Sequence, residues 1–280
     1  MNAQAALDAR ALRIRARRDV STALTGAYRS AFRGHGLTFE ELREYSPDDD
    51  VRAIEWNATA RMGRPITKRM REERDLVVAL LVDVSDSLDF GYAGTTKRAA
   101  ARRVAAALAF AAARAQDRLA LGVFAGELLV EVAPAAGPHQ LERVLRGLAR
   151  HASSTATDPR TALQWASDTL PRHSVAIWIS DFLFPDPGAA LRQCAARHEL
   201  VALRLRDRSD ELPRGVAPVR VRGREGGDRG LWRAPESATD TPLPTRTLRA
   251  LGVDVGELWT DQRLIGGLHR FFDRRAGARA

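Results

Sequence analysis

Two runs of consecutive apolar residues interrupt an otherwise mixed chain, Leu76–Val82 and Val175–Ile179. Neither alternates with polar residues, so both predict strands covered on both faces, as in the centre of a parallel sheet. Each run ends at a carboxylate-bearing segment, Asp83 in one case and Ser180-Asp181 in the other. Between them Ala100, Val104, Leu108 and Ala111 fall three or four apart and predict a helix over about Thr95–Gln116. Residues 118–124 and 127–133 read as two strands joined tightly at Gly126, a hairpin. Helices follow over 138–151 and 159–170. After the second apolar strand come a helix over Pro187–His198 and a strand over Leu200–Leu205, and residues 253–259 and 261–275 repeat the strand-then-helix unit. This alternation predicts an α/β fold with a doubly wound, mostly parallel sheet and helices on both faces.

Outside that rhythm lie two further regions. Residues 208–240, rich in proline and glycine, predict a small β insertion in which Val219–Val221 and Leu231–Trp232 pair as a hairpin. At the other end, residues 5–33 predict one or two helices burying Leu7, Leu12, Ile14, Val20, Leu24, Tyr28 and Phe32, broken at Gly34 and Gly36. An acidic stretch follows from Thr38 to Asn57, then a basic one over 64–75. The expected organisation is an N-terminal helical and acidic extension over 1–75, the α/β domain over 76–275, and a tail over 276–280.

Composition narrows the classes. With 280 residues, 45% hydrophobic and 28% charged, the chain has the make-up of a globular protein. No apolar run is long enough to span a bilayer, and a single cysteine, Cys194, excludes an internal disulfide framework and multi-cysteine zinc motifs. The expected location is cytoplasmic. The net charge of +9 raises a nucleic-acid reading, but the excess is spread out: 15 basic and 12 acidic side chains in residues 1–75, 15 and 13 in 76–207, 14 and 10 in 208–280. Aromatic and basic residues do not interleave as a base-stacking surface requires. Nucleic-acid binding through the Arg-rich first helix therefore stays a secondary alternative. The six histidines are scattered without metal-ligand spacing.

Chemistry is expected at the carboxyl ends of the apolar strands, where open α/β sheets bind ligands. Asp83-Val-Ser85-Asp86-Ser87 follows the first, Ser180-Asp181 the second, and the hydroxyl-rich Ser153–Asp158 lies between them in sequence. Serines and aspartates in such places also cap helices. Together, two carboxylates and several hydroxyls form an oxygen-only donor set suited to Mg²⁺ or Mn²⁺.

The Asp83-x-Ser85-x-Ser87 segment after an apolar strand resembles the first part of the metal-ion-dependent adhesion site of von Willebrand factor A domains; Thr157 and Asp181 match its second and third parts in position. The resemblance implies a von Willebrand factor A-like, Rossmann-like fold. It implies Ser85, Ser87 and Thr157 as direct ligands, with Thr155 the other choice for the threonine, and Asp83 and Asp181 as charge-neutralising anchors. One coordination position would stay open for a partner's carboxylate. Upstream, Gly34-x-Gly36-Leu-x-Phe39-x-x-x-Arg43-x-Tyr45-x-Pro47-x-Asp49-Asp50-x-Arg52-x-Ile54-x-Trp56-x-x-x-Ala60-Arg61 looks like the signature of the bacterial family named domain of unknown function 58. Asp48 stands where that pattern has glycine, and Glu55 where it has aspartate.

That family likeness implies a non-enzymatic, metal-dependent adaptor working with a MoxR-type AAA+ ATPase in complex assembly or activation. The chain itself has no G-x-x-x-x-G-K-[ST] phosphate loop. Within the signature, Phe39, Tyr45, Ile54 and Trp56 suit packing onto the sheet and Arg43, Arg52 and Arg61 suit pairing with carboxylates. The same side chains, Phe39, Arg43, Tyr45, Arg52, Trp56 and Arg61, would alternatively form a partner-docking surface. A Mg²⁺-dependent phosphate-ester hydrolase is the other enzyme-class alternative. It is disfavoured because Ser85 stands where a haloacid-dehalogenase-type site needs its acid/base aspartate.

Overall fold

The computed structural model describes residues 3–32, 37–46, 49–72, 76–89, 91, 95–150, 157–211, 219–222, 229–232 and 242–278. By their contacts they form two compact units, one of Met1–Ala31 with Val77–Ala280, the other of Phe32–Leu76. Two helices open the chain, α1 (Ala3–Asp19) and α2 (Thr22–Phe32). The smaller unit carries β1 (Leu37–Glu44), α3 (Trp56–Met62) and β2 (Ile66–Glu72).

The larger unit continues with β3 (Val77–Asp83), α4 (Lys97–Ala115), β4 (Arg118–Phe124), β5 (Leu128–Ala135), α5 (Pro138–Ala149), α6 (Arg160–Thr169) and β6 (Val175–Ser180). After these come α7 (Ala189–Arg197), β7 (Glu199–Arg206), the short antiparallel pair β8 (Val219–Arg222) and β9 (Arg229–Trp232), α8 (Thr245–Ala250), β10 (Asp254–Trp259) and α9 (Leu264–Gly277). Six strands make one sheet in the order β10-β7-β6-β3-β4-β5, parallel throughout except for β5 at one edge. This is the doubly wound, von Willebrand A-like arrangement expected.

The unbroken apolar runs are explained by two-sided cover. Every residue of β3 and β6 is buried, with α4 on one face of β3 and α6 on the other. The α6 face holds Ala79, Leu81, Ala120, Trp165, Trp178, Leu191 and Cys194 in one cluster. Gly122 on β4 lets Trp165 close down on the sheet: a Cβ there would stand 3.1 Å from the indole.

Two expectations are corrected. The opening helices belong to the α/β unit rather than to a separate 1–75 extension, because their apolar positions Ala16, Val20, Leu24, Tyr28 and Ala31 repeat at helical spacing and are buried. Helix α1 packs on α4 and α5, and Asp19 forms a bidentate pair with Arg103. Tyr28 meets Phe272 of α9 edge to face, 6.0 Å between centroids. Secondly, β1 in the acidic stretch and β2 in the basic one, where no strands were expected, pair as an antiparallel ribbon. Glu41 stands opposite Arg69 and Leu42 opposite Lys68, with a bulge between Phe39 and Glu41.

The buried Tyr28 hydroxyl also donates to Asp117 Oδ2 at 2.7 Å. Burial pushes the Asp117 carboxyl up from 3.8 to about 6, against the Tyr28 hydrogen bond and Arg29, which favour the anion. The folded state therefore holds this proton more tightly than the unfolded chain. Its contribution to stability is fully present below pH 4 and is lost as pH rises through 6. Asp117→Asn keeps an acceptor for Tyr28 and removes the titration. In urea unfolding at pH 4.5 and pH 7, the variant is expected to gain on wild type at the higher pH by about 2 kcal/mol.

Candidate metal centre

The site lies where the winding of the sheet reverses. From β3 the chain crosses through α4 to β4 on one side, and from β6 it crosses through α7 to β7 on the other, leaving a crevice at the carboxyl ends of β3 and β6. Val82 pairs with Ile179, so Asp83 and Ser180 end the two strands side by side.

Both carboxylates are deeply buried, Asp83 at 0% and Asp181 at 4% exposure. Asp83 Oδ1 accepts the Ser85 amide at 2.8 Å and Oδ2 accepts the Ser180 hydroxyl at 2.7 Å. Ser85 Oγ lies 3.2 Å from Ser87 Oγ, which puts the two motif hydroxyls on one edge. On the other strand, Asp181 Oδ1 accepts the Leu183 amide at 3.2 Å. Phe182 between them has φ of 59°, a left-handed conformation unusual for a bulky residue, which its hydrogen bond to Ser180 Oγ (2.9 Å) and its contact with Trp178 hold in place. Burial first, and the neighbouring Asp181 charge second, push Asp83 up from 3.8 to about 7, despite the hydrogen bonds from Ser180 and Ser85. Two acidic groups are thus buried together at the carboxyl edge of the sheet, where Asp83 ionises against both burial and the charge of Asp181.

The third segment reaches the same edge. The Asp158 amide donates to Ala125 O at 2.7 Å, one residue beyond Phe124, which pairs with Asp83. This places Thr157 at the carboxyl end of β4. Thr155 lies outside the described residues. The structure therefore gathers Asp83, Ser85, Ser87 and Asp181 and brings the chain of Thr157 to the same rim.

Several residues of the site were not expected. Ser180 is the side-chain donor to Asp83 as well as a strand terminus. Lys97, the first residue of α4, is 2% exposed and its ammonium donates at 2.9 Å both to Asp181 Oδ2 and to Asp210 Oδ1. Burial opposes that charge, but the two carboxylates outweigh it and raise the Lys97 pKa. Asp210 Oδ2 accepts the Asp207 amide at 2.8 Å, and buried Asp207 accepts the Thr260 hydroxyl after β10. Arg98 donates to Ser85 O at 3.2 Å and pairs with Asp86 and Asp89, fixing the turn that carries the serines. The signal for Lys97 was compositional: it is one of two lysines among 44 basic residues.

Among the described residues no three His, Cys, Asp or Glu side chains cluster in a way that could hold a metal. The donor set is instead of the mixed carboxylate–hydroxyl kind, which suits a hard cation that retains part of its water shell. Ser85, Ser87 and Thr157 would supply hydroxyl oxygens, with Asp83 and Asp181 as anionic partners.

The signature residues lie in the smaller unit. Trp56 is 68% exposed on α3, which corrects its expected packing role; Arg43, Arg52 and Arg61 are exposed as well. Arg43 pairs with Asp49, Tyr45 is half-buried, and its amide donates to Pro65 O at 3.0 Å. The side chain of Phe39 lies outside the described residues.

The fold is that of a von Willebrand A-like α/β protein. Residues 41–232 match the model of the family described as "Protein of unknown function DUF58", and the chain belongs to that family. It is 33% identical over 287 aligned positions to the uncharacterized protein Rv1480 of Mycobacterium tuberculosis, covering 97% of this chain and 90% of that one. Among solved structures, the conserved hypothetical protein BatB of Bacteroides thetaiotaomicron aligns at 16% identity and a TM-score of 0.50, over 72% of this chain and 99% of that chain. A von Willebrand factor type A protein from Catenulispora acidiphila aligns at 14% identity and 0.46, over 75% and 44%. Among the described residues no helix is long and apolar enough to cross a membrane.

Ser180→Ala tests how far the crevice depends on its internal donors. The substitution strips Asp83 of one partner and leaves the Phe182 amide unsatisfied at a strained residue. A loss of about 1–3 kcal/mol in denaturant unfolding is expected.

Proposed function

We propose that this protein is a non-enzymatic, cation-dependent protein-interaction module. The site at Asp83, Ser85, Ser87, Thr157 and Asp181 takes up Mg²⁺ or Mn²⁺ and presents an open coordination position to an acidic side chain of a partner protein. The observation that carries this reading is the buried Asp83–Asp181 pair beside the Ser85 and Ser87 hydroxyls at the switch point of the sheet, a set of hard oxygen donors. Bound there, the cation would supply a Lewis-acidic point for a carboxylate. The chain's own residues hold the donors still: Ser180 and the Ser85 amide orient Asp83, Leu183 orients Asp181, and Arg98 fixes the serine turn.

A haloacid-dehalogenase-type hydrolase needs its acid/base aspartate two residues past the first. At the position two residues past Asp83 stands Ser85, whose amide is bound to Asp83. The partner we propose is a MoxR-type AAA+ ATPase, with this chain as adaptor between motor and target. Exposed Trp56, Arg52 and Arg61 offer a second contact surface of the kind favoured at interfaces.

Calorimetric titration of Mn²⁺ into the purified protein, and into Asp83→Ala, tests the site. Wild type is expected to bind one equivalent and the variant none, with its far-ultraviolet spectrum retained. A co-purification assay with the ATPase in Mg²⁺ and in EDTA tests the interaction. Capture is expected only with Mg²⁺ and intact Asp83; equal capture in all lanes would overturn a docking role for the cation.

A further inference from the structure

Lys97 is an unusual neighbour for a cation site. Its ammonium is buried and donates at 2.9 Å to Asp181 Oδ2 and, at the same distance, to Asp210 Oδ1. Asp181 Oδ1 is taken by the Leu183 amide, so both oxygens of this carboxylate already have donors. Among the described residues no cation pairs with Asp83, whose hydrogen bonds come from neutral groups of Ser85 and Ser180. Lys97 therefore offsets the charge of Asp181 before any metal ion arrives.

We propose that Lys97 is a resident cation that sets how weakly this site holds a divalent metal. Resting on the reading of the crevice as a cation site, it assigns to Lys97 a competing role. A divalent ion entering between the strands meets an ammonium already neutralising one of its anchors, and must either leave Asp181 to Lys97 or displace it toward Asp210. Both routes lower affinity for the bare metal, and an additional carboxylate from a partner then becomes the ligand that completes the charge balance. Asp210 is the device that makes displacement feasible, because it offers the ammonium a second carboxylate already in contact.

The test compares Mn²⁺ affinity by calorimetry in wild type, Lys97→Met, Lys97→Gln, Lys97→Arg and Asp83→Asn. Removal of one unit charge beside the crevice is expected to tighten Mn²⁺ binding at least about tenfold in Lys97→Met. Lys97→Gln keeps a neutral donor for both carboxylates, guards against misfolding of the methionine variant, and is expected to move in the same direction. Lys97→Arg keeps the charge and is expected to stay near wild type. Mn²⁺ should also raise the melting temperature more in the two neutral variants than in wild type, since the metal then supplies the missing counter-charge. Unchanged or weaker binding in both neutral variants, with wild type still binding, overturns the role of Lys97 and leaves the cation site standing. Absence of binding in every protein, or full binding in Asp83→Asn, overturns the cation site and the inference with it.

Discussion

Two carboxylates without access to bulk water are the constraint on which the rest of this molecule turns. An ionised side chain in a dry interior survives only when its oxygens are met by donors. Asp83 and Asp181 are met oxygen by oxygen, from Ser85, Ser180, Leu183 and Lys97. Each donor requires something of the backbone. Ser85 must turn back on Asp83, which Arg98 secures from α4. Leu183 must turn back on Asp181, which puts Phe182 into a left-handed conformation. That strain is held by packing: Phe182 and Phe184 gather about Trp178 at 4.7 and 5.6 Å, and the Arg204 guanidinium lies 5.3 Å over the Phe182 ring. Core and crevice are thus one arrangement, in which an aromatic cluster beneath β6 holds the geometry of the carboxylate above it.

Much of this was legible in the sequence, for a simple reason. Strands buried on both faces leave continuous apolar runs, and Leu76–Val82 and Val175–Ile179 are such runs, so the centre of the sheet and its carboxyl ends could be placed. The helices between them carry regular apolar spacing, and the edge hairpin at Gly126 has a tight-turn residue. The ribbon of β1 and β2 was hidden because neither strand shows apolar alternation; its signal is complementary charge, with an acidic strand placed opposite a basic one, and that pairing is visible only once the register is known. The membership of α1 and α2 was hidden differently. Apolar spacing predicts that a helix buries one face but not which element covers it, and here α4, α5 and α9 do.

The site divides along the same line. Asp83, Ser85, Ser87 and Asp181 sit at strand ends, where position in the fold follows from the pattern. Lys97, Asp207, Asp210 and Thr260 come from a helix start and from the loops after β7 and β10, so their meeting depends on sheet order. No local periodicity encodes the fact that β7 follows β6 in the sheet and β10 follows β7. A lysine 2% exposed at the first position of a helix also contradicts the expectation that lysines lie at the surface. Such a departure from local rules is what a buried charge network produces.

That network has a consequence for how the crevice is tied to its surroundings. Asp181 ends β6, Lys97 begins α4, Asp210 and Asp207 follow β7, and Thr260 follows β10; hydrogen bonds and ion pairs join them in sequence. Three neighbouring strand ends and one helix are therefore coupled through a single ammonium. Lys97 is held on a 19-residue helix whose N-terminus is capped by Thr96 and whose apolar face is packed on β3. A shift of the ammonium between Asp181 and Asp210 is a rotamer change on a fixed base, about the smallest motion that can redistribute a full charge. The Asp207–Asp210 turn follows β7 directly, so the network also reaches the end of that strand. In a low-dielectric interior such a redistribution is felt strongly by every partner in the chain. The ion-pair chain thus permits two acidic groups to be buried and ties the ends of β6, β7 and β10 to the start of α4.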